Sequence, residues 1–120
     1  MKPIFISAIF AFFSIYSNAQ RVVISDEQQI NERVTSEINA LFQSNDFVKA
    51  KNKKFADAQG LVTVDVGINQ SGKVATFFKV ESDIKNVQFI NFMSAYILSH
   101  KFEFKLQKQH HYKVRYSITF

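Results

Sequence analysis

From Gly60 to Ser82 apolar and polar residues take turns along the chain. Val62, Val64, Val66 and Ile68 are separated by Thr63, Asp65 and Gly67, the two-residue period of a strand with one buried face. Asn69-Gln70-Ser71-Gly72 then supplies turn chemistry, because Gly72 can take a positive φ at no steric cost. The alternation resumes at Lys73, with Val74, Thr76, Phe78 and Val80 expected on one face and Lys73, Ala75, Phe77 and Lys79 on the other. Two such runs around a short glycine-containing loop predict a β-hairpin. A hairpin alone is marginal in water, so other elements must cover its apolar face.

The flanking patterns supply them. Ile30, Val34, Ile38, Leu41 and Phe42 recur at helical spacing, which predicts an amphipathic helix from about Asp26 to Gln43. Ser25 with Gln28 resembles a capping box at its start, and Ser44-Asn45-Asp46 ends it. Arg21-Val22-Val23-Ile24 before the helix is β-prone, either an edge strand or a lead-in. Phe47 to Gln59 is the least regular part and reads as a basic linker, with Lys49, Lys51, Lys53 and Lys54 solvated and Phe47 and Phe55 tucked onto the core. Val87, Ile90, Met93 and Ile97, broadened by Phe89 and Phe92, predict a second helix packed on the sheet. Phe102-Glu103-Phe104 reads as extended, and Tyr112, Val114, Tyr116, Ile118 and Phe120 mark a final strand. The expected fold class is α+β: a three-stranded antiparallel sheet, in the order second hairpin strand, first hairpin strand, C-terminal strand, with two helices on one face. The last strand then lies at an edge with a row of backbone groups unpaired.

Composition narrows the function classes. Lys2, the apolar run from Ile4 to Tyr16 and the small residues of Ser17-Asn18-Ala19 predict a signal peptide over residues 1–19. An uncleaved anchor is the alternative, though a span needs about 20 apolar residues. The expected location is therefore periplasmic or secreted, with a mature chain from Gln20, an N-terminal helix and linker over 20–59 and the main domain over 60–120. The sequence holds no Cys, which removes disulfides, a thiolate nucleophile and Cys-ligated zinc. Such a domain must rely on its apolar core, and the many Phe residues fit that demand. The formal net charge of +5 is spread along the chain and is no nucleic-acid signature.

Catalytic chemistry finds little support. His110 and His111 are neighbours on an extended segment and point to opposite faces, and His100 stands apart, so no metal site is expected. Three Gly leave no phosphate-cradling loop, and no Gly-x-Ser-x-Gly elbow is present. Asp65 is expected to form a cross-strand ion pair with Lys113 or Arg115 rather than to act as an acid or base. The expectation is a protein that is not an enzyme and needs no cofactor.

Gly60-Leu-Val-Thr-Val-Asp-Val-Gly-Ile-Asn, Ser71-Gly-Lys-Val, a helix containing Ala95, Lys101-Phe102 and the terminal Tyr116-Ser-Ile-Thr-Phe120 together resemble the C-terminal domain of TonB-type energy transducers. The resemblance covers roughly residues 60–120. It implies that domain's fold and its binding mode, in which a short extended segment of an outer-membrane receptor adds to the edge of the last strand. The family's proline after the aromatic is replaced by Phe104, its turn before the last strand by Gln109-His110-His111, and the only proline here is Pro3. Without a Pro-rich spacer, the resemblance extends to fold and binding but not to energy transduction. It implies an envelope protein or peptide segment as partner, read by the outward side chains of Lys113, Arg115, Ser117 and Thr119. The same edge could pair with a second copy to give a homodimer. Two other expectations differ in kind: a small apolar ligand held among Phe78, Phe89, Phe92 and Tyr112, and an anionic surface met by Lys49 to Lys54. No nucleic acid and no membrane span after signal removal are expected.

Overall fold

A computed structural model describes residues 21–120; the expected signal peptide lies outside the described residues. The elements in order are β1 (Val22–Ile24), α1 (Glu27–Gln43), α2 (Asn45–Lys54), β2 (Leu61–Ile68), β3 (Val74–Ser82), α3 (Val87–Ser99), β4 (Phe104–Leu106) and β5 (Tyr112–Thr119). The fold is α+β. β3, β2 and β5 form a three-stranded antiparallel sheet in that order, and β1 pairs in parallel with β4 as a separate two-stranded ribbon.

Local chemistry explains the boundaries. α1 starts one residue later than the Ser25 reading implies: Asp26 is the N-cap, and its side chain accepts from the Gln28 N–H. Ser44 serves two helices at once. Its N–H and hydroxyl donate to the Leu41 carbonyl at the end of α1, and its hydroxyl oxygen accepts from the Phe47 N–H at the start of α2. The segment expected to be a linker is therefore a helix over Asn45–Lys54. Asp46 in its first turn and Lys51, Lys53 and Lys54 in its last match the helix dipole at both ends.

The hairpin turn is locked by Asn69, whose side-chain oxygen accepts from the N–H groups of Ser71 and Lys73. Gly72 has φ +83°, and any Cβ there would run into the Phe104 carbonyl. The close approach lets the Gly72 carbonyl accept from the Phe102 N–H, while Arg21 donates to the carbonyls of Ser71 and Phe102. The N-terminal arm, the turn and the chain after α3 are thus tied together at one end of the molecule.

The core lies on one side of the sheet. Val62, Val64, Val66 and Ile68 are buried there beneath Ile30, Val34, Ile38 and Phe42 of α1 and Phe89, Ile90, Met93 and Ile97 of α3. Phe47 joins from α2, its ring 4.7 Å from Phe42, 5.3 Å from Phe92 and 5.0 Å from Tyr96. These spacings are those of favourable tilted, stacked and edge-on aromatic pairs. Phe120 closes the cluster against Phe42 and Phe89.

One face assignment in the hairpin is corrected. β2 and β3 slip register between Gly67 and Ile68 and again between Thr63 and Val64. Ile68 pairs with Val74 but Gly67 with Thr76, so Ala75 is an extra residue and the alternation restarts behind it. Val74 and Phe77 consequently face the core, whereas Phe78 lies opposite Asp65 on the outer face, 60 % exposed.

Candidate functional site

β5 pairs with β2 over eight residues without a register slip, from Leu61–Thr119 to Ile68–Tyr112. Gly60 and Phe120, just beyond, exchange both N–H···O bonds at 3.0 and 2.9 Å. In an antiparallel pair such doubly bonded positions recur at every second residue. They fall on Val62–Ile118, Val64–Tyr116, Val66–Val114 and Ile68–Tyr112. The N–H and C=O groups of Lys113, Arg115, Ser117 and Thr119 therefore point away from β2, toward the rim of the sheet. Among the described residues no strand pairs with that rim, because the N-terminal arm is committed to β4.

Side chains sort the same way. Val114 and Tyr116 are buried on the core face, and the Tyr116 hydroxyl donates to Asn39 Oδ1 of α1 at 2.6 Å. Burial raises the Tyr116 pKa well above the ordinary phenol value. Lys113, Arg115, Ser117 and Thr119 are all exposed on the outer face. Arg115 lies opposite Asp65 and donates from Nε and Nη2 to its two carboxylate oxygens at 3.0 and 3.2 Å. Those hydrogen bonds, with the charges of Arg115 and Lys113, hold the Asp65 carboxyl below its usual range against a smaller opposing effect of burial. Ser117 hydrogen-bonds Thr63 across the ladder at 2.8 Å, and Lys113 faces Gly67, which offers no side chain. All four residues expected at the edge thus share one strand, one face and one rim.

The opposite rim is different. β3 carries both bulges, and Lys73, just before it, bridges to Lys101. Bulges are a device that protects a sheet edge from pairing. Of the two rims, β5 is the straight one.

The other expected sites are not assembled in this way. Phe78 is on the outer face while Phe89 is buried beneath the sheet, so Phe78, Phe89, Phe92 and Tyr112 cannot line one cavity. Phe92 instead packs against the rings of Phe47, Phe55 and Phe89. Of the basic cluster, Lys51 leans over the rings of Phe89 and Phe120 at 6.0 and 5.8 Å, and Lys49, Lys53 and Lys54 are exposed. His100 lies 2.9 Å from Glu37, which also accepts from the Glu103 N–H; His110 and His111 sit in the loop before β5. Among the described residues no helix is long and apolar enough to cross a membrane.

The double bulge and α2 are what sequence patterning missed near this site. Gly67 and the Thr76 hydroxyl crowd each other so closely that a Cβ at 67 would collide, which hints at the irregular pairing but does not reveal it. No protein family, curated protein or solved structure matches the chain.

Proposed function

We propose that this protein is an exported, non-catalytic interaction domain, akin to the C-terminal domain of TonB-type transducers, that captures an extended segment of an envelope protein as an added strand on β5. The observation that carries the reading is the unbroken eight-residue register, which turns four consecutive odd-numbered N–H and C=O pairs toward an open rim. Backbone bonds from Lys113, Arg115, Ser117 and Thr119 supply affinity, and their side chains supply choice.

The test uses the chain from Gln20 onward, which carries every core residue described above, and peptides selected on it from a displayed library of short random sequences. Bound peptides are expected to slow amide exchange at Lys113, Arg115, Ser117 and Thr119. Ser117→Pro removes an outward N–H and no backbone bond of the β2–β5 ladder, and loses only the exposed hydroxyl contact to Thr63, so it should abolish capture while leaving circular dichroism unchanged and costing about 1 kcal/mol or less of stability. Peptides that bind Ser117→Pro as tightly as the parent, or that leave those four amides fast, would contradict the reading. So would a free chain that sediments as a dimer with the four amides already protected, since a second copy would then own the rim.

A further inference from the structure

The outer face of β5 holds one side chain whose orientation is set before any guest arrives. Arg115 spends its Nε and one Nη2 hydrogen on Asp65, a side-on pairing across the β2–β5 ladder. The carboxylate is well enclosed at 15 % side-chain exposure, whereas the guanidinium is 64 % exposed. A guanidinium has five N–H donors fixed in one plane. Its Nη1 hydrogens and the second Nη2 hydrogen therefore remain, on the edges turned away from Asp65. β2 occupies one side of β5 and the open rim the other, so these unspent donors lie on an exposed side chain of the rim strand, beside the space that an added strand would fill.

Along β5 itself the charge has one sign. Lys113 stands on the same face two residues along, opposite Gly67, and no acidic residue lies on β5 between Tyr112 and Thr119. The one carboxylate across the ladder, Asp65, is already engaged by Arg115. A guest residue opposite Arg115 would sit as far from β5 on the rim side as Asp65 does on the inner side, within reach of the fork.

Resting on the strand-addition reading above, we infer that the guest is an acidic extended peptide with an Asp or Glu on its outward face opposite Arg115, gripped end-on by the Nη1–Nη2 fork. Asp65 is a positioning residue that aims the guanidinium, so acid, arginine and acid form a ladder across three strands. A planar bidentate grip is more selective than attraction to a point charge.

The experiment compares two synthetic peptides on the chain from Gln20 onward: an acidic-containing binder from the same selection and its counterpart with the single outward Glu or Asp changed to the amide. Amide exchange at Lys113, Arg115, Ser117 and Thr119 is read for both. The acid should bind about fivefold more tightly than the amide, the range of a well-formed exposed ion pair. Arg115→Gln should bring that ratio to about one, and Asp65→Asn should lower it although residue 65 touches no peptide. Lys73→Gln on the far rim should leave it unchanged. Selected peptides that protect the four amides but carry no outward acid, or an acid preference that survives Arg115→Gln, would overturn the inference while strand addition stands. Peptides that fail to protect the amides overturn both.

Discussion

Tyr116 shows how much one residue does in this fold. Its ring is buried against Phe42, its backbone belongs to a doubly bonded pair with Val64, and its hydroxyl reaches α1 at Asn39. Tyr116→Phe keeps the ring and loses the hydrogen bond, which should cost about 1 kcal/mol at neutral pH. The pH dependence has a definite sign. Burial raises the folded-state pKa above the unfolded value of about 10, so the neutral phenol contributes stability fully below that pH. That contribution is lost as pH rises above 10, where the unfolded chain releases the proton and the folded chain keeps it. Urea unfolding between about pH 7 and 11 should therefore show the parent losing stability more steeply than Tyr116→Phe at the alkaline end. Parallel curves would show that the phenol titrates freely in the folded state.

At the scale of elements, legibility followed the strength of the periodic signal. β2, β5, α1 and α3 each bury a regular stripe, and their bounds lie close to those read from the pattern. α2 buries Phe47 alone, so ten residues rich in lysine showed no stripe and read as a linker. Its signals were of another kind: Ser44 as a shared cap, an acid in the first turn, lysines in the last. β3 failed for a different reason. A bulge is a property of pairing between two strands, and one strand's sequence does not disclose which residue will be skipped; hence simple alternation puts Phe78 on the core face, whereas it lies on the outer one. The four rim residues were legible because β5 has no bulge and its alternation runs to the end. The docking of α2 makes a prediction at this scale. Phe47 touches Phe42, Phe92, Tyr96 and Phe120, so Phe47→Ala should cost about 3–5 kcal/mol in denaturant unfolding. A loss below about 1 kcal/mol would mean that α2 is not part of the core.

For the whole molecule the decisive asymmetry lies between its two sheet edges. One face of the sheet is covered by helices, and the β3 edge is interrupted twice by bulges. Among the described residues, β5 offers the long, regular row of donors and acceptors, with α1 fastened to its core face through Asn39. An edge of that kind invites pairing unless something covers it. The most direct measurement is residue-resolved hydrogen exchange on the free chain from Gln20 onward. The amides of Lys113, Arg115, Ser117 and Thr119 should exchange fast while those of Val114, Tyr116 and Ile118 exchange slowly, an alternation along a single strand. Uniform protection from residue 113 to residue 119 would mean that the rim is already occupied, and the account of β5 as a docking edge would fall.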